Sequence, residues 1–245
     1  MILLSEIEPE TSVTVKRIDG GSEVTEHLDE LGIGEGTKLK VVATEAVHVH
    51  AGPIFLKTAT GEAVMARGWA DKVYVDREGE ITPLLRLEAG DEGNISAIEG
   101  GKTFVAHLSL LGMEKGGKIE FLRHLPDDTL LLKVDGSEIK MGEGAASKLL
   151  VERAGKSIQA TLLKEGETGK IIKILGGEAL KEKFKFEEMS ITEGKEIALV
   201  GKEATAPSPR RGTYVQVQVE PERLVTIGRG LAEKIWTESS DIDEA

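Results

Sequence analysis

Two histidines stand two residues apart in "EAVHVHAG", residues 45–52. Side chains alternate between faces of an extended chain, so His48 and His50 would project together while Val47 and Val49 project the other way. With the carboxylate of Glu45, the two imidazoles form a set suited to Fe(II), Zn(II) or Ni(II). No third strong ligand is evident, and the pair has no counterpart elsewhere; the nearest is His124 with Asp127 and Asp128. The rival reading is a solvated loop edge with two histidines that bind nothing. No resident cofactor is expected, and Glu45, His48 and His50 are the candidate metal set.

Cationic residues form the second group of candidates. Lys72, Lys148 and Lys234 recur in "GWADKVYV", "GAASKLLV" and "GLAEKIWT". Flanked by aliphatic residues that face the opposite way, they are expected to reach solvent over an apolar rim, or to touch an acidic partner. Arg210 and Arg211 lie in "GKEATAPSPRRGTY", residues 201–214, a stretch rich in turn formers that reads as a hairpin loop or a docking finger. His27, His107 and Lys185 share one repeat position, which reads as a hydrophilic site on the exposed side of a helix. Three Gly-Gly turns could offer N–H groups to an anion, but the phosphate loop GxxxxGK[ST] is missing. No histidine sits beside a nucleophile signal, and no carboxylate pair stands out from the acidic surface. The chain is therefore expected to be no enzyme.

The elements that must carry these residues come in three copies. Gly20-Gly21, Gly100-Gly101 and Gly176-Gly177 are spaced about 80 and about 76 residues apart. Each pair is followed by a second landmark, "HLDELGIGEG", "HLSLLGMEKG" or "KFEEMSITEG", and each copy closes on Gly-x-Ala-x-Lys-aliphatic from Gly68, Gly144 or Gly230. Within a copy, a strand such as "TVKRI", "NISAI" or "KIIKI" meets the Gly-Gly turn and a short helix follows. Val24, Leu28 and Leu31, and likewise Phe104, Leu108 and Leu111, fall at i, i+4 and i+7 and give that helix one buried stripe. Gly32 and Gly112 suit its left-handed end. Ser190 at the third such place would be strained by on the order of 1 kcal/mol, so the third helix should end differently.

Alternating strands follow, "KLKVV", "KIEFL" and "EIALV", then "IFLKTA", "LLLKVD" and "TYVQVQVE". Short strands with one small helix in so few residues predict a mainly β protein of three tandem antiparallel barrels, not a parallel sheet with crossover helices. The expected units are 1–77, 80–152 and 156–238, the last with the loop insertion, followed by an acidic tail at 239–245. "DREGE" at 76–80 and "ERAGK" at 152–156 read as linkers. Units this small bury little surface alone, so they should dock closely.

Composition narrows the function. With 31 Lys and Arg against 43 Asp and Glu, the net charge is −12, which opposes binding to a nucleic-acid backbone. The absence of cysteine excludes disulfides, thiolate metal sites and a cysteine nucleophile. No signal-like segment or long apolar run is visible, so a cytoplasmic location without membrane insertion is expected.

The Gly-Gly turn, the amphipathic turn ending in "LG" with an aliphatic residue and a second glycine, and the closing Ala-x-Lys-aliphatic segment together resemble the FeoA family of ferrous iron uptake, in three tandem copies. The resemblance implies an SH3-like barrel for each copy. It also implies a non-catalytic role beside the ferrous iron transporter FeoB, binding or modulating its cytoplasmic GTPase part. The same barrel is similar to the C-terminal domain of DtxR-type repressors, which carry a helix-turn-helix ahead of it. Here the first strand begins close to Met1, so no DNA-reading element is expected. The alternatives are a direct Fe(II) or divalent-metal sensor or buffer, and a structural adaptor unrelated to iron.

Overall fold

The computed structural model describes residues 1–49, 52–205, 210–219 and 223–240, with backbone alone at 45–49, 179 and 210–213. The protein is mainly β. The first repeat gives β1 (Ile2–Leu3), β2 (Ser12–Ile18), α1 (Ser22–Glu30), β3 (Lys38–Val49), β4 (Ile54–Thr58), β5 (Gly61–Met65), α2 (Arg67–Ala70) and β6 (Val73–Arg77). The second gives β7 (Glu80–Pro83), β8 (Glu92–Ile98), α3 (Lys102–Ser109), β9 (Lys118–His124), β10 (Thr129–Val134), β11 (Ser137–Gly142), α4 (Glu143–Ala146) and β12 (Leu149–Arg153). The third gives β13 (Lys156–Gln159), β14 (Thr168–Ile174), α5 (Gly177–Lys183), β15 (Glu196–Glu203), β16 (Arg210–Val219), β17 (Arg223–Gly228), α6 (Arg229–Ala232) and β18 (Ile235–Ser239). Each repeat thus holds two helices, where one was expected: the closing Gly-x-Ala segment forms a single helical turn of its own.

The packed units are half a repeat out of phase with the sequence repeats. Strand order runs β17-β16-β3-β2-β18-β1 in unit I, β5-β4-β9-β8-β6-β7 in unit II and β11-β10-β15-β14-β12-β13 in unit III. The order is the same in all three. Units II and III are each continuous in the chain, whereas unit I is assembled from both ends: β3 pairs with β16, and β18 pairs with β2 and β1. Units I and II share one 12-stranded sheet through the parallel pair β17–β7. Unit III forms a separate six-stranded sheet. Pairing within units is antiparallel throughout.

Equivalent backbone irregularities support the equivalence of the units. A register shift falls at Trp236/Thr237, at Tyr74/Val75 and at Leu150/Val151, just before the Gly-Gly turns of the partnering strands. Such bulges bend a strand and increase its twist, which lets a short sheet curl over its own core. The segments expected as linkers are instead two-residue hairpins. Glu78-Gly79 (φ 54° and 95°) joins β6 to β7, and Ala154-Gly155 (φ 50° and 73°) joins β12 to β13. Two successive positive φ values match the hairpin turn whose twist suits the flanking strands, and they explain why a glycine closes each.

The helix stripe falls where the spacing puts it: Leu28, Leu31, Leu108 and Leu111 are buried, with Val24 and Phe104 packed beside them. Gly32 and Gly112 are left-handed, at φ 80° and 74°. Ser190 keeps that conformation at φ 57°, and the third helix nevertheless ends early, at Lys183, with Lys185 also left-handed. Three cores follow from this plan. Unit I packs Leu4, Val15, Leu28 and Leu39 with Val217, Ile227 and Ile235. Unit II buries Phe121 and Met113, and unit III buries Phe186 and Ile191.

Candidate functional site

The repeat position of the closing lysine lies at the seams between units, and the three lysines have different fates. The backbone places the residue before each Gly-Gly pair against this lysine, since the N–H of Asp19, Glu99 and Leu175 donates to the carbonyl of Lys234, Lys72 and Lys148 respectively. Lys72 reaches Glu99 at 3.7 Å with its side chain 45% exposed. The Asp19 carboxylate beside Lys234 accepts instead from Arg17 at 3.0 Å and from the Trp236 indole at 2.6 Å. Lys148 meets the aliphatic Leu175 and forms no ion pair among the described residues.

Lys148 was expected to reach solvent; it is 4% exposed. Its ammonium lies 5.1 Å from the Trp69 ring centroid and 5.4 Å from that of Phe184, and donates to the Gly144 carbonyl. Two aromatic faces attract the cation through their quadrupoles, and burial explains why the expected snorkelling fails: unit II lies across the rim. Burial, then the charge of Lys183, lowers its pKa to about 8. Trp69 and Phe184 were not singled out in the sequence, since neither aromatic recurs at the same place in the other copies.

The helix histidines correct a second expectation. His27 and His107 are buried, not on an exposed helix face. His27 packs its ring against Tyr74 of unit II, with centroids 5.1 Å apart, and both its ring nitrogens are buried without a hydrogen-bond partner. Burial accordingly pulls its pKa down to about 4, and the ring is held neutral. His107 accepts a hydrogen bond at Nδ1 from the Gly176 N–H at 3.0 Å. Burial, then the charge of Lys173, lowers its pKa too. Lys185 stays exposed.

The two seams are closed by different means. Between units I and II, β17 pairs with β7 through Leu224↔Glu80 and Val225↔Ile81. The Tyr214 hydroxyl also donates to Asp71 at 2.9 Å, and Gln216 donates to Glu80 at 3.1 Å. Between units II and III, the buried side chain of Gln159 stands at the corresponding strand edge, beside the His107–Gly176 bond and the Lys148–Trp69 contact. The Gln159 amide accepts from the Val64 N–H at 2.7 Å and donates to the Val64 carbonyl at 2.7 Å, as well as to the Ser147 carbonyl.

The candidate metal and arginine residues, which read as two separate features, meet on one ribbon. β3 and β16 pair from Leu39↔Val219 to Val49↔Arg210, with Arg211 opposite His48 and Tyr214 opposite Glu45. The equivalent pair β4–β9 stops at Ile54↔His124, and β10–β15 at Thr129↔Glu203. The ribbon of unit I is therefore longer than its counterparts. His50 lies outside the described residues. Part of the expected loop insertion, 206–209, also lies outside them, and Arg210 and Arg211 belong to the strand that follows. Among the described residues, no three His, Asp or Glu side chains converge as a metal-holding group. No described helix is long and apolar enough to cross a membrane.

No curated protein and no solved structure matches the chain. The profile of the FeoA domain matches it three times, at residues 2–77, 82–153 and 159–239. Those intervals take in the recurring Gly-Gly turns, the buried helix stripes and the closing lysine segments described above, over nearly the whole length. The chain therefore belongs to the FeoA domain family, in three tandem copies.

Proposed function

We propose that the protein is a non-enzymatic recognition module of ferrous iron transport, made of three SH3-like barrels, that binds the cytoplasmic part of a FeoB-type transporter. Membership of the FeoA domain family supports the link to ferrous iron transport. The observation that carries the docking reading is the ribbon β3–β16, which outruns both of its internal counterparts and brings Arg210 and Arg211 to its far end. Paired strands hold such residues in a fixed register, with adjacent positions on opposite faces, so the ribbon offers one cation on either face to an acidic partner, worth more in steering and specificity than in raw affinity. Lys72 and Lys234 can add to that contact; Lys148, being buried, does not.

Titration of the purified chain against the cytoplasmic part of a FeoB-type transporter tests the proposal. The Arg210→Glu/Arg211→Glu variant should bind at least about tenfold more weakly and lose salt dependence. Unchanged affinity would remove the ribbon as the docking element, and no binding by the unmodified chain would remove the partnership. The direct metal reading through Glu45, His48 and His50 is tested apart from it. A cationic Arg211 at the position paired with His48 disfavours a bound cation, so anaerobic Fe(II) titration should give the same result with and without His48→Ala/His50→Ala.

A further inference from the structure

Units II and III enclose a cleft of about 790 Å³ at the Lys148 seam, a volume in the range of small-molecule sites. Its walls are aromatic and apolar, from Trp69 on one side and Phe184, Phe186 and Met189 on the other. The charges lining it are unbalanced. An ammonium carries three N–H donors, and that of Lys148 has one protein acceptor, the Gly144 carbonyl, and two aromatic faces. The Nε of Arg67, on the same lining, is buried and has no partner. Lys183 adds a third cation at the exposed edge. None of these three forms an ion pair among the described residues. Of the other charged groups on the lining, Lys140 is paired to Glu203 at 2.8 Å. Asp71 accepts from the Tyr214 hydroxyl at 2.9 Å, and Asp127 also lines the cleft.

A buried cation without a counterion is costly unless something supplies the opposite charge. At the corresponding place in the other seam the chain supplies it internally, since Lys72 has Glu99. Beside Lys148 the chain has Leu175, and neither carboxylate on the lining, Asp71 or Asp127, forms an ion pair with it among the described residues, which leaves the cleft open to an anion from outside. We propose that this cleft binds a small organic anion, a carboxylate or phosphate ester carried on a flat apolar body. The anionic group is held by Lys148, Arg67 and Lys183, and the body lies along Trp69 and Phe184. Nothing in the transporter partnership requires this site, and it stands whether or not that partnership holds.

Calorimetric titration of the full chain with 1-naphthyl phosphate, 1-naphthoate, neutral 1-naphthalenemethanol and inorganic phosphate tests it. At least one of the two naphthyl anions should bind saturably, and which one does identifies the headgroup. The neutral analogue and inorganic phosphate should each bind at least about tenfold more weakly. Lys183→Glu, at an exposed position, should weaken the bound anion about tenfold while leaving the thermal melt unchanged. Lys148→Met should abolish binding in a chain that melts no lower than the parent. If Lys148→Met fails to fold, Lys183→Glu decides alone. The proposal is overturned if neither naphthyl anion saturates by about 1 mM, if the neutral analogue binds as well, or if binding survives Lys183→Glu undiminished.

Discussion

The seam between units I and II and the seam between units II and III are made from equivalent positions of one repeat, yet they are held by opposite means. The first is a backbone seam: β17 hydrogen-bonds to β7, and the lysine at its edge has a carboxylate beside it. The second is a side-chain seam: Gln159 stands where the first has strand pairing, and Lys148 sits between aromatic rings with no ion pair among the described residues. Backbone pairing is indifferent to sequence, so the β17–β7 part of the first seam does not depend on any one side chain. The second depends on particular side chains, Gln159, His107 and Lys148, and opens a cleft of about 790 Å³, where the cavity beside the Lys72–Glu99 pair measures about 270 Å³. The repeat thus places the same backbone geometry at both seams, and the side chains it carries there, Glu99 in one and Leu175 in the other, set the lysines apart.

The sharpest way to break this comparison is Gln159→Leu. It leaves the Val64 N–H, the Val64 carbonyl and the Ser147 carbonyl without their partner, and at about 1–3 kcal/mol for an unsatisfied buried group the loss should reach about 3–4 kcal/mol in urea unfolding. No side-chain substitution in β17 or β7 should uncouple units I and II in the same way. Next is acid. The folded pKa of His27, about 4, lies below its ordinary 6.5, so the unfolded chain takes the proton first. Its contribution is complete above pH 6.5 and is lost as pH falls towards 4, by on the order of 3 kcal/mol. His27→Phe should flatten that part of the stability profile, and a His107→Phe variant should leave the His27 part in place. Lys148→Met comes third, with an expected gain of about 1–2 kcal/mol from removing an uncompensated buried charge. The smallest effect is Lys72→Met, within about 0.5 kcal/mol, because an exposed pair contributes little. Equal responses of Lys72 and Lys148 would erase the distinction between the seams.

Much of the repeat was legible because its signals are local. The apolar spacing of Leu28 and Leu31, the left-handed places at Gly32 and Gly112 and the alternating strands each follow from a few neighbouring residues. The half-repeat phase shift was not legible: a strand such as β4 carries the same alternation whichever partner it takes, and only the pairing Leu56↔Phe121 in place of a partner in β3 reveals it. The two linkers were misread for the same reason, since Glu78-Gly79 and Ala154-Gly155 look alike as tethers and as hairpins. At the candidate site, aliphatic neighbours of Lys148 correctly indicated a strand edge but said nothing of what covers it. A signal did exist in the run before each Gly-Gly pair, where Asp19 and Glu99 correspond to Leu175. A leucine where the other copies carry an acid, beside a lysine common to all three, marks a charge without the neighbour its counterparts have.

Unit I has a consequence for synthesis. Unit II has all its strands once His124 has emerged and unit III once Glu203 has, but unit I waits for β18 at the end of the chain. Leu39 pairs with Val219 across about 180 residues, a separation that makes closure slow relative to the local pairings of the other two. β2 and β3 can pair with each other early, but their outer partners, β18 and β16, come last. Through most of translation β2 and β3 carry open edges, the state in which a nascent chain is most exposed to pairing with another copy.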